Sequence, residues 1–229
     1  MVVCVVAFSW LAVWQYHRAH EREARIAAIE AARRASPTAL SLANVNNLPR
    51  YSHIIAQGHY EAHRQVLLME MTRPRGTQTG YEVLTPLVLA SGHILLVNRG
   101  WVPMDEHKNP QADLAAPDGK ADVVGYLAPL PRPGLHLGGN PTTVTNWPAR
   151  LLFPGWHELD ALYGPHLLHR MVLLENEVPG GYARNWVMRP SHGPQQNYSY
   201  MVQWIAFAVV VFGLWLWFTF RRLRRRGKA

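Results

Sequence analysis

Cysteine occurs once in the 229 residues, as Cys4, so neither an intramolecular disulfide nor a cysteine-based metal cluster can form. Its apolar surroundings suit an inert, buried thiol. Charge is scarce too: Asp, Glu, Lys and Arg make up 17% of the chain, against about 25% in a typical soluble domain. The sequence has no internal repeat, Gly-rich phosphate loop, His-Glu-x-x-His zinc pattern or Gly-x-Ser-x-Gly elbow. No Ser/His/Asp or Cys/His set stands above background, and the chain reads as a protein other than an enzyme. The start has no positive n-region and no small-residue cleavage site, which argues against a signal peptide. It is not Arg- and Ser-rich like a transit peptide, which favours a bacterial setting.

The net charge of +8 raises the question of nucleic acid, but its distribution answers it. Residues 221–229 hold six of the 23 basic side chains and no acid, and the other 220 residues carry 17 basic against 15 acidic. The basicity belongs to a tail rather than to a groove, so no nucleic-acid partner is expected. That tail follows Met201 to Phe220, 20 residues whose polar members are Gln203 and Thr219. About 20 apolar residues cross a bilayer as a helix, aromatics mark both ends, and a basic tail stays on the cytoplasmic or matrix side. At the other end Val2 to Trp14 is apolar over 13 residues, below the usual minimum of roughly 17. A spanning helix that lacks its first residues, or continues into Gln15, Tyr16 and His17, accounts for it.

These observations predict a membrane protein in which N- and C-terminal transmembrane helices flank an extracytoplasmic α+β domain rich in antiparallel strands, an open sheet or small barrel. The expected boundaries are 1–17 for the first helix, 18–199 for the domain, 200–220 for the second helix and 221–229 for the cytoplasmic tail. Within the domain, Ala19 to Ser36 reads as a solvated helix stopped by Pro37. Strands are expected at Ser52–Gly58, Gln65–Met71, Tyr81–Ala90, His93–Asn98, Asp122–Ala128 and Leu167–Glu175. The third and fourth form a hairpin across a Ser-Gly turn. Pro129 to Pro148 reads as loop, and Trp156 to Tyr163 as a short helix closed by Gly164.

The densest local signal is Leu95-Leu96-Val97-Asn98-Arg99-Gly100-Trp101-Val102-Pro103. An arginine, a glycine and a tryptophan stand side by side at an expected strand end. A guanidinium beside an indole suits an anionic or planar partner, and an Arg–Trp stack closing a barrel is the structural alternative. Of the 12 histidines, the pairs His59/His63 and His166/His169 share a face only on a helix, and metal ligation there has little support. His192, in Arg189-Pro190-Ser191-His192-Gly193-Pro194, is a candidate axial heme ligand, with a plain loop histidine as its alternative. Asp105, Glu106, Asp113, Asp118 and Asp122 read as solvated turn residues.

Several segments, in order, resemble the Surfeit locus protein 1 family, the Surfeit/Shy assembly factors of cytochrome c oxidase. They are Trp14-Gln15-Tyr16-His17-Arg18, Gly58-His59-Tyr60, Thr72-Arg73, Gly80-Tyr81-Glu82-Val83-Leu84-Thr85-Pro86-Leu87, Val97 to Pro103, and Tyr200-Met201-Val202-Gln203-Trp204. The resemblance implies a non-catalytic assembly factor that helps insert or stabilise heme A in the catalytic subunit of the oxidase. It would sit in the cell inner membrane as a multi-pass protein with its main domain periplasmic, or in the mitochondrial inner membrane if eukaryotic. Its implied partners are oxidase subunits, the lipid bilayer and the heme A synthesis machinery. The resemblance also implies that Arg18 and Arg99 meet heme propionates and that Trp14, Trp101 and Tyr200 stack on a porphyrin or anchor at the interface. The family often carries a histidine three residues before that Tyr, regarded as a heme ligand. Here the position is Asn197, a poor iron ligand, with His192 as a possible substitute. A scaffold that holds assembly intermediates without binding heme is the other reading.

Overall fold

The computed structural model describes residues 1–72, 78–131, 144, 146–186, 188 and 193–226. The chain divides into two compact units, Met1–Glu30 with Arg189–Ala229, and Ala31–Met188.

The first unit is a pair of long helices. Helix α1 runs without a break over Val2–Arg34, so the expected apolar helix and the expected solvated helix are one element. Nothing in its sequence breaks the backbone before Pro37, and the Ala-, Arg- and Glu-rich stretch after the apolar start simply propagates it. Helix α3 covers Gln195–Arg226. Its segment Gln195–Arg224 is the one helix among the described residues that is long and apolar enough to cross a membrane, and none of its most apolar stretch is buried inside the protein. The two helices lie antiparallel: Phe8 stacks on Trp204 with ring centroids 5.6 Å apart, and Gln15 and Glu23 meet Asn197 and Tyr198. Cys4 is exposed on α1 rather than buried, because helix α1 has no partner covering that face among the described residues.

The second unit is built from strands. In chain order these are β1 (Thr38–Ala39), β2 (His53–Tyr60), β3 (Val66–Thr72), β4 (Thr79–Leu89), β5 (Ile94–Pro103), β6 (Lys120–Ala128), β7 (Ala149–Leu151) and β8 (Leu167–Leu174), with helix α2 (Trp156–Tyr163) before β8. The hairpin of β4 and β5 forms as expected, turning through Gly92 at φ 78°. Pairings β2–β6, β6–β8, β8–β5, β5–β4 and β4–β2 close a ring of five strands. Closure pairs each of these five strands on both sides, and β1, β3 and β7 add on outside the ring. Gly58 sits at the closing seam opposite Leu89, and a Cβ there would run into the Val88 carbonyl and the Leu87 side chain.

Antiparallel pairings predominate, as expected, and three parallel ones make the sheet mixed. β8 runs parallel to β5, β1 to β2 and β7 to β3. The chain leaves β5 and returns through a long connection carrying α2, and only such a connection allows a parallel return. The barrel interior is filled by alternate residues of the ring strands: Ile54 and Ala56, Leu87, Leu95 and Val97, Val123 and Leu127, Val172 and Leu174. The intervening residues form a second, outer core with β3, β7 and α2, whose Leu159 and Tyr163, four apart, face inward. Helix α2 keeps its expected bounds, with Glu158 accepting from the Gly155 amide at the start and Gly164 closing the end at φ 81°.

Leu95 is fully buried in the middle of this interior. Leu95→Ala should cost about 2–5 kcal/mol through lost transfer energy and a cavity, whereas Leu95→Met should cost less than about 1.5 kcal/mol. Urea unfolding of the detergent-solubilised protein, followed by tryptophan fluorescence, measures the difference.

Candidate functional site

Strand β5 does not stop before Arg99. It continues to Pro103, so Arg99 and Trp101 lie within the strand rather than at the expected strand end. The reason is a bulge. Leu84 pairs with Asn98, but Glu82 pairs with Trp101, so Arg99 and Gly100 together face the single residue Val83. Gly100 takes φ 116°, and a Cβ on it would lie 2.9 Å from the Ala183 carbonyl oxygen. The Asn98 side chain accepts from the Gly100 amide at 3.1 Å and pins the bulge.

The bulge resets the alternation of side chains. Leu95, Val97 and Arg99 point into the barrel, while Leu96, Asn98 and then Trp101 belong to the outer face. Arg99 therefore enters one end of the barrel, where it is 2% exposed. Its Nε donates to the Gly180 carbonyl at 2.6 Å, one terminal nitrogen to the Ala115 carbonyl at 2.7 Å, and the other to the Leu114 carbonyl at 3.3 Å. Its guanidinium carbon lies 4.9 Å from the Tyr182 ring centroid and 5.8 Å from that of Tyr60. Burial pushes the Tyr60 hydroxyl up to about 12, with Arg99 and then Arg184 opposing the shift. Arg184 donates to the carbonyls of Val178 and Asn176, and burial lowers its own pKa. A guanidinium so committed to the protein's own carbonyls is not presented to a propionate, and Arg99 is a structural plug.

Trp101, on the other face, lines a cavity of about 450 Å³ together with Glu82, Tyr51, Leu130, Met171 and Trp186. Glu82 Oε2 accepts from the Asn98 amide at 2.7 Å. Burial raises the Glu82 pKa, and the Asn98 hydrogen bond only partly offsets it. Tyr51 reaches this cavity from a left-handed backbone, φ 62°, uncommon for a bulky residue. The Trp186 indole is fixed by its Nε1 donating to the Leu174 carbonyl at 2.8 Å. Sequence reasoning missed Glu82, Asn98, Tyr51 and Trp186. The available signal was Glu82 itself, one carboxylate inside the apolar run Tyr81 to Leu87.

The remaining predicted site residues lie in the helical unit or outside the described residues. Trp14 and Tyr200 are exposed, 48% and 42%, and Arg18 pairs with Glu21 at 3.1 Å. His192 lies outside the described residues, as do Arg73 and most of the Pro129–Pro148 loop. Asn197, at the position where the resembled family often carries a histidine, is 7% exposed and donates its amide to Gln15 Oε1 at 2.6 Å. Its Oδ1 is buried without a hydrogen-bond partner among the described residues. An amide locked against a neighbouring helix does not fit axial ligation of heme iron. His166 and His169 go to different neighbours: His169 stacks on Trp156 and pairs with Asp160, while His166 meets His93. Asp105 and Asp113 cap turns as expected, accepting from the Asn109 and Ala115 amides.

The class the fold defines is a small closed mixed barrel carried in one chain with a two-helix unit that holds a helix of membrane-spanning length. The SURF1 family model matches residues 2–209, and the chain belongs to the SURF1 family. A SURF1-like protein of Monosiga brevicollis is 25% identical over 240 residues, covering 98% of this chain and 86% of that protein. The family is one of membrane-associated oxidase assembly factors, not a classical enzyme family.

Two outcomes are expected. Arg99→Met should destabilise the protein by about 3–5 kcal/mol, because the three carbonyls lose their donors, and Arg99→Lys should not restore it, since an ammonium cannot bridge them. Thermal unfolding in detergent reads both. Glu82, with its pKa raised, contributes fully to stability below the ordinary carboxylate range and loses that contribution as pH rises through the raised pKa. Glu82→Gln should therefore melt higher than wild type at pH 8, with the gap shrinking toward pH 4. A gap independent of pH would show that the carboxylate is not strained by burial.

Proposed function

We propose that this chain is an inner-membrane assembly factor for cytochrome c oxidase that holds the maturing catalytic subunit as a scaffold, without ligating heme itself at position 197. Both helices would span the membrane with their termini in the cytoplasm, as the basic tail after α3 and the antiparallel packing of α1 on α3 favour. The barrel unit would then lie in the periplasm, or on the corresponding side of the mitochondrial inner membrane. The observation that carries the reading is the Gln15–Asn197 hydrogen bond, which turns the expected ligand position into an interhelical contact.

A second reading is supported by one observation. Trp14, Arg18 and Tyr200 are exposed in the helical unit, a set with which a porphyrin face and a propionate could associate during transfer of heme A to the catalytic subunit. An absorption spectrum separates the readings. The protein, co-expressed with heme A synthesis and purified in detergent, should be colourless yet co-purify with oxidase subunits. A Soret band that survives washing would overturn the scaffold reading and turn attention to His192, whose replacement by alanine would then test its role as ligand.

A further inference from the structure

The cavity beside β5 is not required by the scaffold reading, and its lining is unusual for a plain packing defect. An accidental void in a β domain is apolar and tolerates no carboxylate, because an ionised acid away from water needs a counter-charge. Here Glu82 faces the cavity with one oxygen held by Asn98, and its second oxygen, Oε1, has no hydrogen bond among the described residues. The aromatic residues Tyr51, Trp101 and Trp186 stand in the same lining, with Met171 and Leu130 supplying apolar surface. At about 450 Å³ the space matches a small-ligand pocket, roughly 300–1,000 Å³, rather than a single water.

We propose that this cavity binds an organic ammonium group, with Glu82 as the counter-charge and Tyr51, Trp101 and Trp186 as the aromatic wall. The chemistry follows from the lining. Aromatic faces attract a weakly hydrated cation through their quadrupole, and a carboxylate supplies the charge that a neutral pocket lacks. Two features mark the site as built. Asn98 fixes the carboxylate and at the same time pins the bulge that turns Trp101 to this face. Tyr51 holds a left-handed backbone, sparsely populated by bulky residues, which its surroundings sustain, with its amide donating to the Leu127 carbonyl at 2.7 Å. The other charge of the lining, Arg50, is exposed, and among the described residues no cation opposes the rise of the Glu82 pKa.

Tryptophan fluorescence of the full chain, purified in dodecyl maltoside, tests the site with three probes. Choline represents a free small ammonium, Nα-acetyl-lysine methylamide represents a lysine side chain of a polypeptide, and 3,3-dimethylbutanol is the neutral isostere of choline. Saturable binding of choline or of the lysine amide is expected, and the tighter of the two identifies the source of the ammonium. The isostere should bind at least about tenfold more weakly, and Glu82→Gln should weaken the cation by about tenfold or more while sparing the isostere. Glu82→Gln is expected to fold at least as well as wild type, so its loss of binding is not a folding artefact. Equal binding of choline and its isostere would reduce the cavity to an apolar hole and overturn the proposal, as would saturation by neither cation.

Discussion

The barrel depends on one buried cation. Arg99 closes the end of the five-strand ring by donating to carbonyls from two separate loops, Leu114 and Ala115 on one side and Gly180 on the other, between the rings of Tyr60 and Tyr182. Carbonyl oxygens in irregular loops need donors as much as those in strands do, and a buried loop without them is costly. A guanidinium offers several donors in one rigid plane, which no other side chain does. Its delocalised charge is weakly hydrated and is accommodated by aromatic faces, so an arginine can occupy this end where a lysine would demand water. Arg184 repeats the solution nearby on the carbonyls of Val178 and Asn176. Two arginines thus serve as cross-links for main chain that has no sheet to pair with.

The bulge in β5 makes this possible without sacrificing the outer face. In a regular strand Asn98, Gly100 and Val102 would share one face, and Arg99 and Trp101 the other. One added residue sends Arg99 inward and Trp101 outward, opposite Glu82. The members of Asn98-Arg99-Gly100-Trp101 then divide the work. Asn98 pins the bulge and holds Glu82, Arg99 plugs the barrel, Gly100 supplies the backbone angle, and Trp101 lines the cavity. Because these roles are coupled through one backbone feature, replacing any one residue disturbs both faces of the strand.

Much of the secondary structure was legible because period-two and period-3.6 patterns are local. The β4–β5 hairpin, β6, β8 and α2 all fall close to the expected positions. What was not legible is what depends on distant partners. The parallel pairing of β8 with β5 follows from ring closure, and neither strand's sequence specifies which neighbour it takes. The two-residue β1 and three-residue β7 exist only because long strands offer them an edge. The tetrad at Asn98–Trp101 was read as a strand end because glycine and proline punctuate strands, and no local rule distinguishes an ending from a bulge. Of the two readings of Arg99 the one that closes the barrel holds, without the stack on Trp101, while Glu82, quoted only as part of an apolar run, faces a cavity.

In the helical unit the same logic of unsatisfied groups gives a reason for the amide pair. Between helices in lipid, apolar side chains give little reason to prefer a partner over lipid, so packing and polar contacts select it. Phe8 against Trp204 supplies shape, and Gln15 with Asn197 supplies a hydrogen bond in a buried position. A histidine at 197 that ligated a metal would have to present a ring nitrogen away from Gln15. An asparagine there reaches across instead and fixes the relative register of α1 and α3. A buried amide at this position thus serves as a latch between the two helices.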